Sequence, residues 1–332
     1  MNQNQLPETM KAAFVRELGP ASNIEIGDLP LPQPGPDETL VKVLATTANP
    51  VDTFVRSGAF ETETPFPFVI ARDLVGEEVG TGRLVWSNSM GHHGRQGAAS
   101  EYVAVPNDRL YPLPEGVDPL RFIAAVHPAA TAYLALFEHG GLQLHADGDA
   151  RGDQRVLIEG GGGNVGSMLV ALASMATPHV VATASAQDLD RVRELGAETA
   201  LDYHSENLGE ELARTAPSGF DVQVDTSSRN DLESAVERIA LGGRIVVMSG
   251  MGATPVLPVG KLYTRDGSIN GFVISNATVD QLARAAEKVN ELAGRGELPE
   301  LKMTTRPLEQ IADVHQDLEE GALRGQRVVL TF

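Results

Sequence analysis

The stretch VLIEGGGGNVGSM, residues 156–168, decides the fold. Its first four residues form a short apolar run suited to a buried strand, and Val165 to Met175 has the length and apolar content of a helix. Between them Gly161, Gly163 and Gly166 stand in G-x-G-x-x-G spacing, with Gly162, Asn164 and Val165 completing the turn. A strand, a glycine turn and a helix start in that order make a dinucleotide site. The glycines permit the tight turn and let backbone N–H groups approach a pyrophosphate, which the helix dipole then favours. A merely flexible glycine loop is the alternative. The next segment, HVVATA (residues 179–184), reads as a second strand and completes a βαβ unit, which favours the dinucleotide site.

Working outward, the alternation continues. Helix DLDRVRELG (188–196), strand TALDY (199–203), helix ENLGEELART (206–215), strand DVQVDT (221–226) and helix LESAVERIA (232–240) follow one another. Strands RIVVMSG (244–250) and SINGFVIS (268–275) close the series. Such a run predicts an α/β fold with a parallel, doubly wound sheet and helices on both faces. Residues 1 to 120 differ, with short β-type runs such as Thr39–Ala45 and Ser100–Val105 broken by segments like PLPQPGPDE (30–38). The C-terminal part offers a long amphipathic helix (Val279–Leu292), a second helix (Leu308–Glu320) and a last strand, RVVLTF. These are too few for a domain and are expected to complete the N-terminal one. HADGDARGDQ (145–154) reads as an exposed loop.

A length of 332 residues favours two domains, and 42% hydrophobic residues suffice to fill both. Zero cysteines exclude disulfides, a cysteine nucleophile, iron–sulfur clusters and thiolate zinc sites. A formal net charge of −19 disfavours nucleic acid and anionic membrane surfaces as partners. With no long uninterrupted apolar run and no secretory pattern at the start, the expectation is a cytoplasmic protein. Only five of the 26 basic residues are lysine against 45 acidic ones, a balance that resembles proteins of salt-rich cytoplasm; an ordinary acidic protein kept soluble by its charge is the alternative. His92-His93 lacks a third metal ligand and reads as a solvated loop, and His127 reads as a packing or cleft-wall residue rather than a base.

The end of the second strand, Thr183-Ala184-Ser185, chooses the cofactor, because NAD-specific sites place a carboxylate there for the ribose 2′-hydroxyl. None is present. Ser185 as a donor and Arg191 beyond it favour NADPH over NADH, although Asp188 and Asp190 weaken the inference and Arg191 is equally suited to a solvated helix face.

MKAAFV (10–15), NPVDTFVRSG (49–58), HPAATAYLAL (127–136), GGGGNVG and ELGAETALDY (194–203) occur in the order of the quinone oxidoreductases. Over nearly its whole length the chain resembles the zinc-free, zeta-crystallin-like branch of the medium-chain dehydrogenases/reductases. The resemblance implies a Rossmann domain (125–273) and a GroES-like, mainly β substrate domain (1–124 with 274–332), joined in a homodimer through SINGFVIS. Where zinc-using relatives carry ligands, this chain reads Asn49-Pro50-Val51-Asp52 and Ala71-Arg72-Asp73, so no metal is expected. The resemblance also implies that Asn49 contacts the nicotinamide ribose region, Thr131 lies against the nicotinamide, and Tyr203 with Ser185 holds the adenosine phosphate. Gly250 and Met251, then Phe272, Val273 and Ser275, match strand ends that meet the nicotinamide. A turn asparagine before proline, a buried helix hydroxyl and a packing residue are the structural alternatives for Asn49, Thr131 and Tyr203.

Phe54 and Phe60 stand where relatives often carry cleft tyrosines, so neither can donate a proton. A quinone tolerates this, since it takes a hydride and a proton from water; Asn49, Asp52 and Thr131 are the candidate catalytic residues. An enone or alkenal, assisted by Asn49 or Asp52, is the second reading. A non-catalytic, NADPH-binding crystallin-like or redox-sensing protein is the third.

Overall fold

A computed structural model describes residues 6–144 and 152–332. The loop expected over 145–154 lies mostly outside the described residues. Contacts divide the chain into two units, Met1–His127 with Leu282–Phe332, and Pro128–Gln281.

In the central unit, six parallel strands are ordered Thr199–Asp202, Val180–Ala184, Val156–Glu159, Phe220–Asp225, Ile239–Val247 and Ser268–Gly271. The strand of the diagnostic stretch lies third, with the order reversing beside it. That is the doubly wound arrangement, in which right-handed crossovers put helices on both faces. Leu157, Val181 and Phe220 pack with Leu212 and Ala216 in one cluster, and Val236, Ile239 and Ile245 in another. Strands covered on both faces need apolar side chains at successive positions, which is why VLI and VVATA carry no alternation.

The other unit is mainly β. A seven-stranded sheet runs Met303–Pro307, Arg327–Thr331, Glu38–Thr47, Asp73–Glu78, Leu84–Ser87 and Tyr111–Pro112, with Tyr102–Pro106 also paired to Glu38–Thr47. The C-terminal strands thus belong to the sheet begun near the N-terminus. A three-stranded sheet, Glu25–Pro30, Thr9–Val15 and Phe68–Val69, adjoins it in sequence. Phe14, Val15, Phe68 and Ile70 pack with Ile311, Val314, Val328 and Leu330 in a shared core. Each large side chain sealed there contributes about 1.5–3 kcal/mol. Helix Pro50–Ser57 starts on a proline and stops at Gly58, whose φ of +83° suits a residue without Cβ.

Among the described residues one helical run, Pro119–His139, is long and apolar enough by composition to cross a membrane. Since 72% of its most apolar window is buried inside the fold, its apolarity is that of a core helix.

Candidate functional site

After strand Val156–Glu159 the chain turns at Gly160 (φ +90°), and helix Asn164–Ala176 starts beyond Gly163. A Cβ at Gly166 would stand 2.0 Å from the Gly160 carbonyl oxygen, and one at Gly161 3.1 Å from Ala182 Cβ. At Gly166 the turn therefore closes only around hydrogen, while at Gly161 a Cβ would be a tight contact that its neighbour must yield to by a few tenths of an ångström. Gly163 is different, because a Cβ there would meet nothing nearer than the Gly160 carbonyl oxygen at 3.5 Å. Its missing side chain keeps open the space ahead of the helix, toward which the first-turn N–H groups point. The N-cap residue, Gly163, has no side chain with which to cap that end. A pyrophosphate fits such a cradle.

Ser185 follows strand Val180–Ala184, and Tyr203 N–H donates to the Ala184 carbonyl at 3.1 Å, so both residues sit at the carboxyl ends of adjacent strands. Tyr203 is exposed. Ser185 Oγ donates to Asp188 Oδ2 at 2.7 Å, and that carboxylate would lie 3.0 Å from a Cβ on Gly162. Asp188 thus supplies, from three residues further on, the carboxylate that the strand end itself lacks. Arg191 is half-buried on helix Leu189–Glu194.

Gly250 (φ +84°) and the exposed Met251 follow strand Ile239–Val247; a Cβ at Gly250 would strike Asn230 Nδ2 at 2.5 Å. The strand expected over SINGFVIS is shorter than its sequence suggested. It ends at Gly271, and Val273 leads into a single 3₁₀ turn, Ile274–Asn276, that holds Ser275. Phe272 N–H still donates to the Val247 carbonyl (3.0 Å), while its ring stacks on His139 at 4.6 Å, a packing demand that ends the strand there. Thr131 Oγ1, on helix Pro119–Tyr133, is buried and has no hydrogen-bond partner, unlike an ordinary helix hydroxyl bonded back to the preceding turn.

The other unit holds a polar network in its core. Asn49 leaves strand Glu38–Thr47 and precedes helix Pro50–Ser57. Its N–H donates to Asp52 Oδ2 (2.8 Å), and its Nδ2 to Asp73 Oδ2 (2.7 Å) and Asp52 Oδ2 (3.1 Å). Thr47 Oγ1 donates to Asp73 Oδ2 at 2.7 Å, Arg327 Nη2 lies 3.9 Å from it, and His127 Nδ1 is 3.2 Å from Asp73 Oδ1. Arg72 Nε stands 3.8 Å from Asp52 Oδ1. Burial drives the Asp52 carboxyl up to about 6 against the opposing pull of Arg72. For Asp73 burial works in the same direction, yet His127, Arg327 and Thr47 outweigh it and hold the carboxyl below its usual range.

Asp73, His127, Thr47 and Arg327 were not marked as functional by their sequence. Asp73 was visible as part of Ala71–Gly76, but its donors come from positions 26, 24, 54 and 254 residues away. His127 is more than a packing residue, since it bonds a buried carboxylate. His92 is likewise no solvated loop residue. It is 1% exposed, packs on Phe60 at 5.3 Å, and burial lowers its imidazole to about 3, while His93 beside it is exposed. Phe54 is exposed and Phe60 packs against the main core. Among the described residues, no group of three or more His, Cys, Asp or Glu side chains is arranged to hold a metal ion.

Two family models match the chain, that of the alcohol dehydrogenase GroES-like domain over residues 35–115 and that of zinc-binding dehydrogenases over 164–290. Quinone oxidoreductase of Lama guanicoe is 26% identical over 329 residues, covering 97% of each chain. A chloroplastic quinone-oxidoreductase homolog of Spinacia oleracea is 30% identical over 230 residues, covering 66% of this chain and 68% of that one. A solved NAD-dependent alcohol dehydrogenase superposes with a TM-score of 0.82 at 27% identity, over 97% of this chain and all of its own. The chain therefore belongs to the quinone oxidoreductase branch of the medium-chain dehydrogenases/reductases, and is an oxidoreductase that binds a nicotinamide cofactor and acts on a small molecule.

Proposed function

We propose that the protein is an NADPH-dependent oxidoreductase that reduces quinones without zinc. The observation that carries this reading is the open cradle at Gly163, ahead of the start of helix Asn164–Ala176, in a chain without cysteine. We assign the central unit to the dinucleotide and the other unit to the substrate.

Backbone N–H groups at Gly162 to Gly166 would hold the pyrophosphate, with Ser185, Arg191 and Tyr203 at the 2′-phosphate. Gly250, Met251, Phe272, Val273 and Ser275 would flank the nicotinamide, with the unpartnered Thr131 hydroxyl against it. When bound, the reduced nicotinamide supplies two electrons and one hydrogen as hydride. Asn49 would orient the ribose region through an amide already fixed between Asp52 and Asp73. Asp52, with its carboxyl near 6, can hold a proton or release it around neutrality. Hydride acceptance turns a quinone into a delocalised anion, so orientation and water exclusion are the main demands on the protein.

We further propose a homodimer. Ser268–Gly271 is an edge strand, and Val256, Val259 and Tyr263, in the segment before it, are all exposed apolar side chains. Sedimentation should give a mass near twice 35.3 kDa.

The deciding experiment is consumption of NADPH and NADH by the purified protein with naphthoquinone, benzoquinone and a short enone, in low and high salt. Quinone-dependent NADPH oxidation is expected. Enone-only turnover would move the function to double-bond reduction, and tight binding without turnover to a non-catalytic role.

A further inference from the structure

We infer that His127 is the general acid of the reaction, with Asp73 as its positioning residue. The inference rests on the reductase reading above and adds the group that supplies the proton.

Asp73 is fully buried, and its Oδ2 is occupied by Thr47 Oγ1 and Asn49 Nδ2, both at 2.7 Å. Oδ1 is left for His127 Nδ1, 3.2 Å away. A carboxylate surrounded by donors can only accept, so Nδ1 carries hydrogen in both charge states of the ring. Nε2 is consequently the atom that gains and loses a proton. Among the described residues it has no hydrogen-bond partner, and it is not one of the sealed, unpartnered atoms, whereas both ring nitrogens of His92 and His315 are sealed. The side chain keeps 10% of its surface exposed.

Two carboxylates and two guanidiniums surround the ring at longer range. The carboxyl groups are Asp73 from its strand and Asp52 from its helix; the guanidiniums are Arg327 behind Asp73 and Arg72 beside Asp52. Thr131 follows His127 by four residues on helix Pro119–Tyr133, the spacing that puts two side chains on one helix face.

The chemistry balances. Hydride from the reduced nicotinamide leaves the quinone or enone with a negative oxygen and the dinucleotide oxidised. The Nε2–H bond then breaks, its electron pair stays on Nε2 as a lone pair, and the proton forms the O–H bond of the product or, through the enolate, its new C–H bond. Water returns one proton to Nε2. This answers the lack of a cleft tyrosine at Phe54 and Phe60.

The test is His127→Asn, whose amide can still donate to Asp73, and His127→Gln, each compared with the unsubstituted protein at saturating NADPH. General acids typically contribute about 10²–10⁴-fold, so a fall in kcat of about 100-fold with an enone is expected, with KM changed little. The loss of rate on the alkaline side of the pH profile should disappear in both variants, and added imidazole should restore part of the rate. A variant that folds and keeps the normal rate and pH profile overturns the assignment. So does a loss of rate with the alkaline limb intact and no rescue, which would mark a structural role. If the unsubstituted protein turns over neither quinone nor enone, the reductase reading fails first and this inference with it.

Discussion

Gly163→Ala separates the fold from the cofactor site. The backbone at Gly163 has φ −76° and ψ 173°, a region open to any residue, and the added Cβ would meet nothing nearer than 3.5 Å. Losing glycine in the unfolded chain stabilises by about 0.4–1 kcal/mol, and alanine is a poorer residue before a helix by a similar amount, so the net change in stability should be within about 0.5 kcal/mol. The new methyl would occupy the space ahead of the helix. If it displaces one or two charge-assisted hydrogen bonds of about 1.5–3 kcal/mol each, affinity for NADPH should fall at least about tenfold. Gly166→Ala is the contrast, because its Cβ would stand 2.0 Å from the Gly160 carbonyl oxygen and the turn would have to open. Overpacking of that kind costs about 1–3 kcal/mol or more, so this variant should lose stability and binding together. Calorimetric titration with NADPH and urea denaturation read the two quantities. Unchanged affinity in a normally folded Gly163→Ala protein would refute the cradle.

Asp188→Asn should shift coenzyme preference, since it removes the negative charge that Ser185 Oγ contacts at 2.7 Å. The ratio of kcat/KM for NADPH over NADH should rise several-fold, and a ratio that falls or stays constant would remove Asp188 from the site. Asp52→Asn should change the pH dependence of stability. The folded carboxyl titrates near 6 against an ordinary 3.8, so the folded state binds the proton more tightly; stability conferred by that proton is present below about 4 and lost as pH rises through 6. The amplitude is about 3 kcal/mol at most, and denaturation curves of variant and parent that stay parallel from pH 4 to 7 would contradict it. Arg327→Met strands the Asp73 carboxylate beside Thr47 and removes the bond to the Ala124 carbonyl at 2.9 Å. Breaking a buried pair by removing one partner costs about 3–5 kcal/mol, and a loss below 1 kcal/mol in urea denaturation would show that the pair contributes little.

The central fold was legible because its signals are local. A parallel strand covered on both faces must be an apolar run, and a glycine turn between such a run and a helix has few other uses. The same locality explains where the reading stopped short. Nothing in SINGFVIS announces that Phe272 will stack on His139, more than a hundred residues earlier, and so end the strand at Gly271. Thr183-Ala184-Ser185 lacks a carboxylate, but the chain bends so that Asp188 brings one back to the glycine turn.

By itself, the sequence determined the doubly wound sheet, the dinucleotide turn, the family and the lack of cysteine ligands. Only the tertiary structure decided that His92 is buried while His93 is exposed, that Asp52 and Asp73 share one asparagine amide, and that His127 holds a buried carboxylate. Periodicity and turn chemistry act within a few residues along the chain, whereas the charge state of a carboxylate or an imidazole is set by burial and by partners that arrive from anywhere in the sequence.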